Sequence, residues 1–228
     1  MSKIILSTDN LKKNYLSKNK PLKVLKGISI KIKKGDLVAL VGPSGSGKSS
    51  LLHILALIEK PSFGKAFFLG KDLSKTSDKE KDKIKQKQIS IIFQNNNLLE
   101  DFTAIENISM PLIIRGESIS NAINKAKKVL KSVNLDMRAD HFPSQLSGGE
   151  QQRVAIARSL VAETDLILAD EPTGNLDHKT TKDIFSYFSK LKKMNKTIIF
   201  ATHNRELANR ADYKLSISQG IIKRINAS

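Results

Sequence analysis

Two short stretches hold residue types that could handle phosphate. The first, "GPSGSGKS" (42–49), fits G-x-x-x-x-G-K-[ST]. Gly42, Gly45 and Gly47 let the backbone around Pro43, Ser44, Ser46 and Lys48 curl, so that successive N–H groups point inward and cradle phosphate oxygens. Lys48 offers a point charge for the β- and γ-phosphates, and the Ser49 hydroxyl is a ligand for Mg²⁺. The second stretch, "LILADEP" (166–172), is an apolar run ending in two acids. Asp170 is the expected metal-side acid. Glu171 comes next, and a strand alternates its faces, so the two carboxylates divide the work. Glu171 is then free to orient and deprotonate an attacking water. The bland alternatives are a Gly/Ser-rich turn and a solubilising pair of acids.

These residues need particular elements beneath them. "LVALV" (37–41) is continuously apolar, as a buried parallel strand is, and a helix is expected over 49–60, ending before Pro61. Such a strand–loop–helix setting is what the first motif demands. Further strands are expected at 29–35, 88–94, 165–170 and 197–203. Helices are expected at 120–135, 146–161 with a polar cap at Ser147, and within 179–194. Residues 213–225 read as a closing hairpin around Gln219-Gly220. Strands alternate with helices, so the class is α/β with a mostly parallel sheet.

Composition sets outer limits. The 228 residues suit one domain, and 39% hydrophobic with 27% charged residues is the balance of a globular chain with a core. No run reaches the ~18 apolar residues of a membrane span. The start of the chain lacks the pattern of a signal peptide, and the absence of cysteine fits a cytoplasmic setting. The net charge of +17 admits an anionic partner. The alternative is compositional drift, since 32 of the 39 basic residues are Lys. The run at 74–88 favours drift: acids are interleaved and no aromatic is present to stack on bases.

The ordered set of motifs resembles the ATP-binding-cassette family over nearly the whole chain. The set is Tyr15, "GPSGSGKS", Gln94, "LSGGEQQR" (146–153), "LILADEP", "GNLD" (174–177) and His203. The resemblance implies a P-loop NTPase (RecA-like) core, an N-terminal antiparallel β subdomain and an inserted α-helical subdomain near 95–160, all within one nucleotide-binding domain. It implies that Tyr15 stacks on adenine, that Ser50 adjoins the phosphate site, and that Gln94 senses metal and water. Ser147, Gly148 and Gly149 resemble the signature that reaches the γ-phosphate of an opposite subunit. Asp177, with Leu176, resembles the segment crossing that interface, and His203 the switch histidine on the γ-phosphate. The same resemblance implies ATP, Mg²⁺ and a homodimer with two sandwiched nucleotides. A tyrosine in the core and a structural histidine are the plainer readings of Tyr15 and His203. Two departures stand out: Ser50 where relatives often have Thr, and "LIEKPSFGKAFF" (57–68) where a glycine-leucine-aspartate pattern is commoner.

Within the family, "LLEDFTAIENISMPL" (98–112) is similar to the ATPases of lipoprotein-releasing systems. That likeness implies separate integral membrane subunits of LolC/LolE type and a place on the cytoplasmic face of the inner membrane. Efflux ATPases of the MacB type would continue into a membrane domain, and a division ATPase of the FtsE type is a further alternative. A nucleic-acid-associated cassette ATPase is the remote one. Phe102, Ile105, Ile108, Met110 and Leu112 form either a groove for a partner helix or the subdomain's own core.

Overall fold

A computed structural model describes residues 3–17, 20–174, 176 and 178–226. Its centre is a six-stranded sheet, and the order of the strands brings distant motifs to one edge. The strands are β3 (Leu37–Val41), β6 (Ile89–Ile92), β7 (Leu166–Asp170), β8 (Thr197–Ala201), β9 (Tyr213–Ser218) and β10 (Ile221–Asn226). In space they run β10-β9-β3-β8-β7-β6. All neighbouring pairs are parallel except the hairpin β9–β10. At its tip Gln219 and Gly220 both take left-handed φ, of 49° and 78°.

The central strands β3, β7 and β8 are almost wholly apolar because both of their faces are covered, whereas the outer strand β9 alternates. Leu37 and Ala39 of β3, with Phe200 of β8, meet Phe185 and Phe188 of α6 (His178–Lys193). Val38 and Leu40 point the other way, to α1 (Lys48–Leu55) and a second sheet. That sheet is antiparallel, in the order β2-β1-β4-β5, from β1 (Ile4–Ser17), β2 (Lys20–Lys33), β4 (Phe63–Phe68) and β5 (Lys71–Asp72). Each fully buried Leu, Ile or Phe contributes ~1.5–3 kcal/mol, so the two faces bind the layers firmly.

A third core stands apart. Helices α3 (Ala104–Ile114), α4 (Ile119–Ser132) and α5 (Gly148–Val161) pack around Ile108, Leu112, Ala122, Ala126, Leu130 and Val154. Ile105, Ile108 and Leu112 are therefore core residues and line no partner groove, whereas Phe102 is exposed and Met110 half-buried. Pro111 sits inside α3 and does not interrupt it.

Three expectations about elements need correcting, and one helix falls where none was expected. The helix after the phosphate loop stops at Leu55, because Leu57 turns to φ 60° and Ile58 N–H closes back on the His53 carbonyl at 2.9 Å. Strand β6 ends at Ile92, so Gln94 lies two residues beyond it. Strand β8 ends at Ala201, two residues before His203. The charged run at 74–88 holds a helix, α2 (Asp78–Gln88), started by a capping box between Ser77 and Glu80 that the charge pattern hid. A last short helix, α7 (Arg205–Ala208), is capped by the Asn204 side chain.

Candidate functional site

The carboxyl ends of β3, β8, β7 and β6 lie side by side at one edge of the sheet. Open α/β sheets bind ligands at that edge. The phosphate loop leaves β3, His203 comes after β8, Asp170 closes β7, and Gln94 comes after β6. In register, Leu40 of β3 and Asp170 of β7 both pair with Ala201 of β8. Topology thus gathers residues that are more than a hundred positions apart.

The phosphate loop is held from behind. Gly42 has φ 154°, and a Cβ there would lie 2.1 Å from the Ile217 carbonyl oxygen of β9. Gly47 has φ 103°, and its Cβ would lie 2.7 Å from Leu25 of β2. Both positions exclude side chains, so the backbone itself forms the concave wall. Gly47 caps α1 without a side-chain bond, and no acid stands in the first turn of that helix. The orphan N–H groups and the positive end of the dipole therefore go uncompensated by the protein. Lys48 is buried, its ammonium donating to the Gly42 and Pro43 carbonyls at 2.9 and 3.1 Å. The Ser46 hydroxyl is buried without a hydrogen-bond partner among the described residues. An orphaned polar atom inside a glycine-built cradle is the mark of a site shaped for phosphate oxygens. Pro43, Ser44 and Gly45 form its exposed lip, Ser49 is exposed and Ser50 half-buried.

Across the sheet edge, Asp170 is buried and Glu171 takes φ 46°. The expectation that strand alternation separates the two carboxylates is corrected here. Strand β7 has already ended, and it is the left-handed turn at Glu171 that swings its side chain away. That conformation costs a non-glycine residue ~1–3 kcal/mol and occurs where a side chain must be aimed. Glu171 N–H donates to the Ala201 carbonyl at 3.1 Å, and Gly174 N–H closes on the Glu171 carbonyl, which fix the turn. The Glu171 carboxylate then meets His203 Nδ1 at 3.1 Å, with the carboxylate 12% exposed and the histidine 75%. A sheltered carboxylate is tied to an open imidazole.

Among the described residues, no cluster of three or more His, Asp or Glu side chains forms a metal cage. A hydroxyl and a single carboxylate, as Ser49 and Asp170 supply, are the kinds of donor that Mg²⁺ takes when most of its shell is phosphate and water. Gln94 is exposed on its loop.

The signature lies at the start of α5, in the helical unit. Ser147 is the N-cap: its hydroxyl accepts from Glu150 N–H at 3.3 Å, while Glu150 accepts from Ser147 N–H at 2.8 Å. That backbone bond, working against burial and aided by Arg138 at 2.9 Å, holds the Glu150 carboxyl down at about 2. Open space surrounds Gly148, and a Cβ on Gly149 would make only ordinary contact with Leu176. Asp177 lies outside the described residues. Gln152 ties this helix to the acid-bearing turn by donating to the Pro172 carbonyl at 3.1 Å.

The structure adds residues that sequence reasoning missed. Arg158 donates to the Asn96 and Asn97 carbonyls, and buried Asn107 binds the Leu99 amide and the Leu99, Phe102 and Thr103 carbonyls. Together they shape the loop that carries Gln94. No spacing rule signals them, because each bonds main-chain atoms. Tyr15 is half-buried, and its hydroxyl donates to Glu59 at 2.6 Å beside Ser50 Oγ at 3.1 Å.

A family model described as ABC transporter matches residues 25–174. The chain belongs to the ABC transporter family. It is 44% identical over 222 residues to a protein of Legionella pneumophila (strain Paris) named lipoprotein-releasing system ATP-binding protein LolD, covering 96% of this chain and 97% of that one. A protein of the same name from Rickettsia bellii (strain RML369-C) is 44% identical over 97% of this chain and 99% of its own. The fold matches a dimeric post-hydrolysis structure of the ATP-binding cassette MJ0796 bound to ADP and Pi, with TM-score 0.94 and 34% identity. A second dimeric structure of MJ0796, described as a bacterial ABC transporter cassette, matches with TM-score 0.94 and 35% identity. Each match covers 98% of this chain and 99% of the other. As an ABC ATPase, the chain binds and hydrolyses ATP. No helix among its described residues is long and apolar enough to cross a membrane.

Proposed function

We propose that this ABC ATPase powers the release of lipoproteins from the inner membrane, acting from its cytoplasmic face through separate LolC/LolE-like membrane subunits. The observation that carries this reading is the 44% identity, over nearly the full length of both chains, to proteins named for that system.

The geometry supports a division of labour. The loop amides from Gly42 to Ser50, with Lys48, hold the triphosphate, and Tyr15 stacks on the adenine. Ser49, Asp170 and Gln94 would hold Mg²⁺, which would supply charge neutralisation at the phosphate oxygens. Glu171 takes a proton from the attacking water as its oxygen bonds to the γ-phosphorus. The bond to the oxygen bridging the β- and γ-phosphates breaks, releasing ADP and phosphate. His203, already on the Glu171 carboxylate, orients it and faces the same phosphate. Ser147, Gly148 and Gly149, with Asp177, complete the site of a second copy, so two nucleotides lie between two head-to-tail subunits.

Co-purification decides the transport reading. Tagged chain expressed at native level should bring down membrane subunits that bind lipoproteins and release them on ATP addition. Recovery of a division complex in their place would overturn it.

A further inference from the structure

We infer that Glu59 is the positioning residue for Tyr15: it sets the span between the base-stacking ring and the phosphate loop. The inference rests on the reading of Tyr15 as the adenine platform. Glu59 belongs to the loop after α1 that departs from the commoner family pattern, and no motif accounts for it.

The local backbone explains how it arrives there. After α1 ends, the N–H groups of Ile58 and Glu59 both fold back onto the His53 carbonyl, at 2.9 and 3.2 Å. The chain then ties itself to β1, with Ser62 N–H donating to the Lys12 carbonyl at 2.8 Å and Asn14 N–H to the Ser62 hydroxyl at 3.0 Å. This return places one carboxylate between the helix of the phosphate loop and the strand of Tyr15. One oxygen accepts from the Tyr15 hydroxyl at 2.6 Å and from Lys13 at 2.8 Å; the other meets His53 Nδ1 at 3.2 Å. The Lys13 ammonium also lies 4.9 Å over the Tyr15 ring, so a stacked base has the opposite face. The tyrosine hydroxyl sits 3.1 Å from Ser50, the residue after Ser49 of the phosphate loop. Ring and phosphate loop are thereby fastened to the same turn of α1.

The charge state agrees. Burial raises the Glu59 carboxyl, yet hydrogen bonds from Lys13, Tyr15 and His53 keep it below the usual range. Burial, then the bond to Glu59, raises the Tyr15 phenol, so it remains a donor at neutral pH. A carboxylate with three donors is a rigid anchor, and a rigid platform avoids the ordering cost of binding.

The test titrates the full chain with MgATP and with inorganic tripolyphosphate, which has no base to stack. Glu59→Ala should weaken MgATP binding roughly three- to tenfold, the share of stacking that disappears when the ring is no longer held. Tripolyphosphate affinity should not move, and KM for ATP should rise with kcat preserved. Glu59→Gln, which keeps an acceptor for the phenol, should recover most of the loss. In a Tyr15→Phe background, Glu59→Ala should cost nothing more. Equal weakening of both ligands would overturn the proposal by making Glu59 a support of the phosphate loop. An unchanged preference for ATP in Glu59→Ala, with a lowered one in Tyr15→Ala, would overturn it while leaving the stacking role of Tyr15 intact. An unchanged preference in Tyr15→Ala would remove that stacking role and the proposal together.

Discussion

Among the described residues, two helix starts bear glycines, and they are built in opposite ways. At α1 the protein withholds every internal partner: no side chain caps the helix, no acid stands in its first turn, and Gly42 and Gly47 are pinned by contacts that exclude a Cβ. At α5 the cap is already made, by Ser147 and Glu150 in mutual hydrogen bonds; Gly148 faces open space and Gly149 has only ordinary contacts. An uncompensated helix end binds phosphate strongly by itself. A capped one with a carboxylate in its first turn offers weaker anion binding, suited to a contact made only when a second subunit presents a phosphate. On the proposed reading, the same device supplies a permanent site and a conditional one.

Removing the base should produce the largest effect and test the conditional site. Glu171→Gln keeps the shape and lowers hydrolysis by about 10²–10⁴. The γ-phosphate would then persist between the loop of one copy and the signature of another. Light scattering after size exclusion should show an ATP-dependent dimer, which Gly148→Asp should abolish while nucleotide binding survives. A Glu171→Gln protein that binds ATP yet stays monomeric, alone and with its membrane partners, would break the comparison at α5.

Next in size is the permanent site. Lys48→Ala removes a charge-assisted contact of ~1.5–3 kcal/mol, so ATP affinity should fall roughly tenfold to a hundredfold. Calorimetric titration would read it, with the fold checked by circular dichroism. An unchanged affinity would show that the α1 end does not carry the phosphates.

The smallest effect sharpens the contrast by pH. The Glu150 carboxyl titrates at about 2 in the folded chain, below its ordinary value of 4.5. A depressed carboxyl adds stability that is present above the ordinary value and lost as pH falls from there toward about 2. The cap is worth about 1 kcal/mol. Thermal melts should show the parent protein losing that much more than Glu150→Gln over this acid range. Equal slopes would mean that Glu150 does not stabilise the α5 cap.

Much of the site is legible in one dimension, because its parts are local. The phosphate loop needs only glycines, Lys48 and Ser49 between an apolar strand and a helix, and all lie within eight residues. The cap at Ser147 and the acid ending "LILAD" are equally local. The helix at 78–88 is hidden in the sequence because its charges outweigh its cap. The sequence also overstates the length of α1, because nothing in "ALIEKP" announces the left-handed Leu57.

Sequence alone therefore determined where the candidate phosphate loop lies, since its glycines, Lys48 and Ser49 are neighbours in the chain. Only the tertiary structure decided what surrounds them. Strand order put β8 between β3 and β7, which brought His203 to Glu171. A left-handed turn, and no alternation of faces, aimed that carboxylate. The return of the chain after α1 carried Glu59 to Tyr15, 44 positions away. Contacts of that range depend on how the layers pack, and packing is a property of the whole chain that no short window of residues contains.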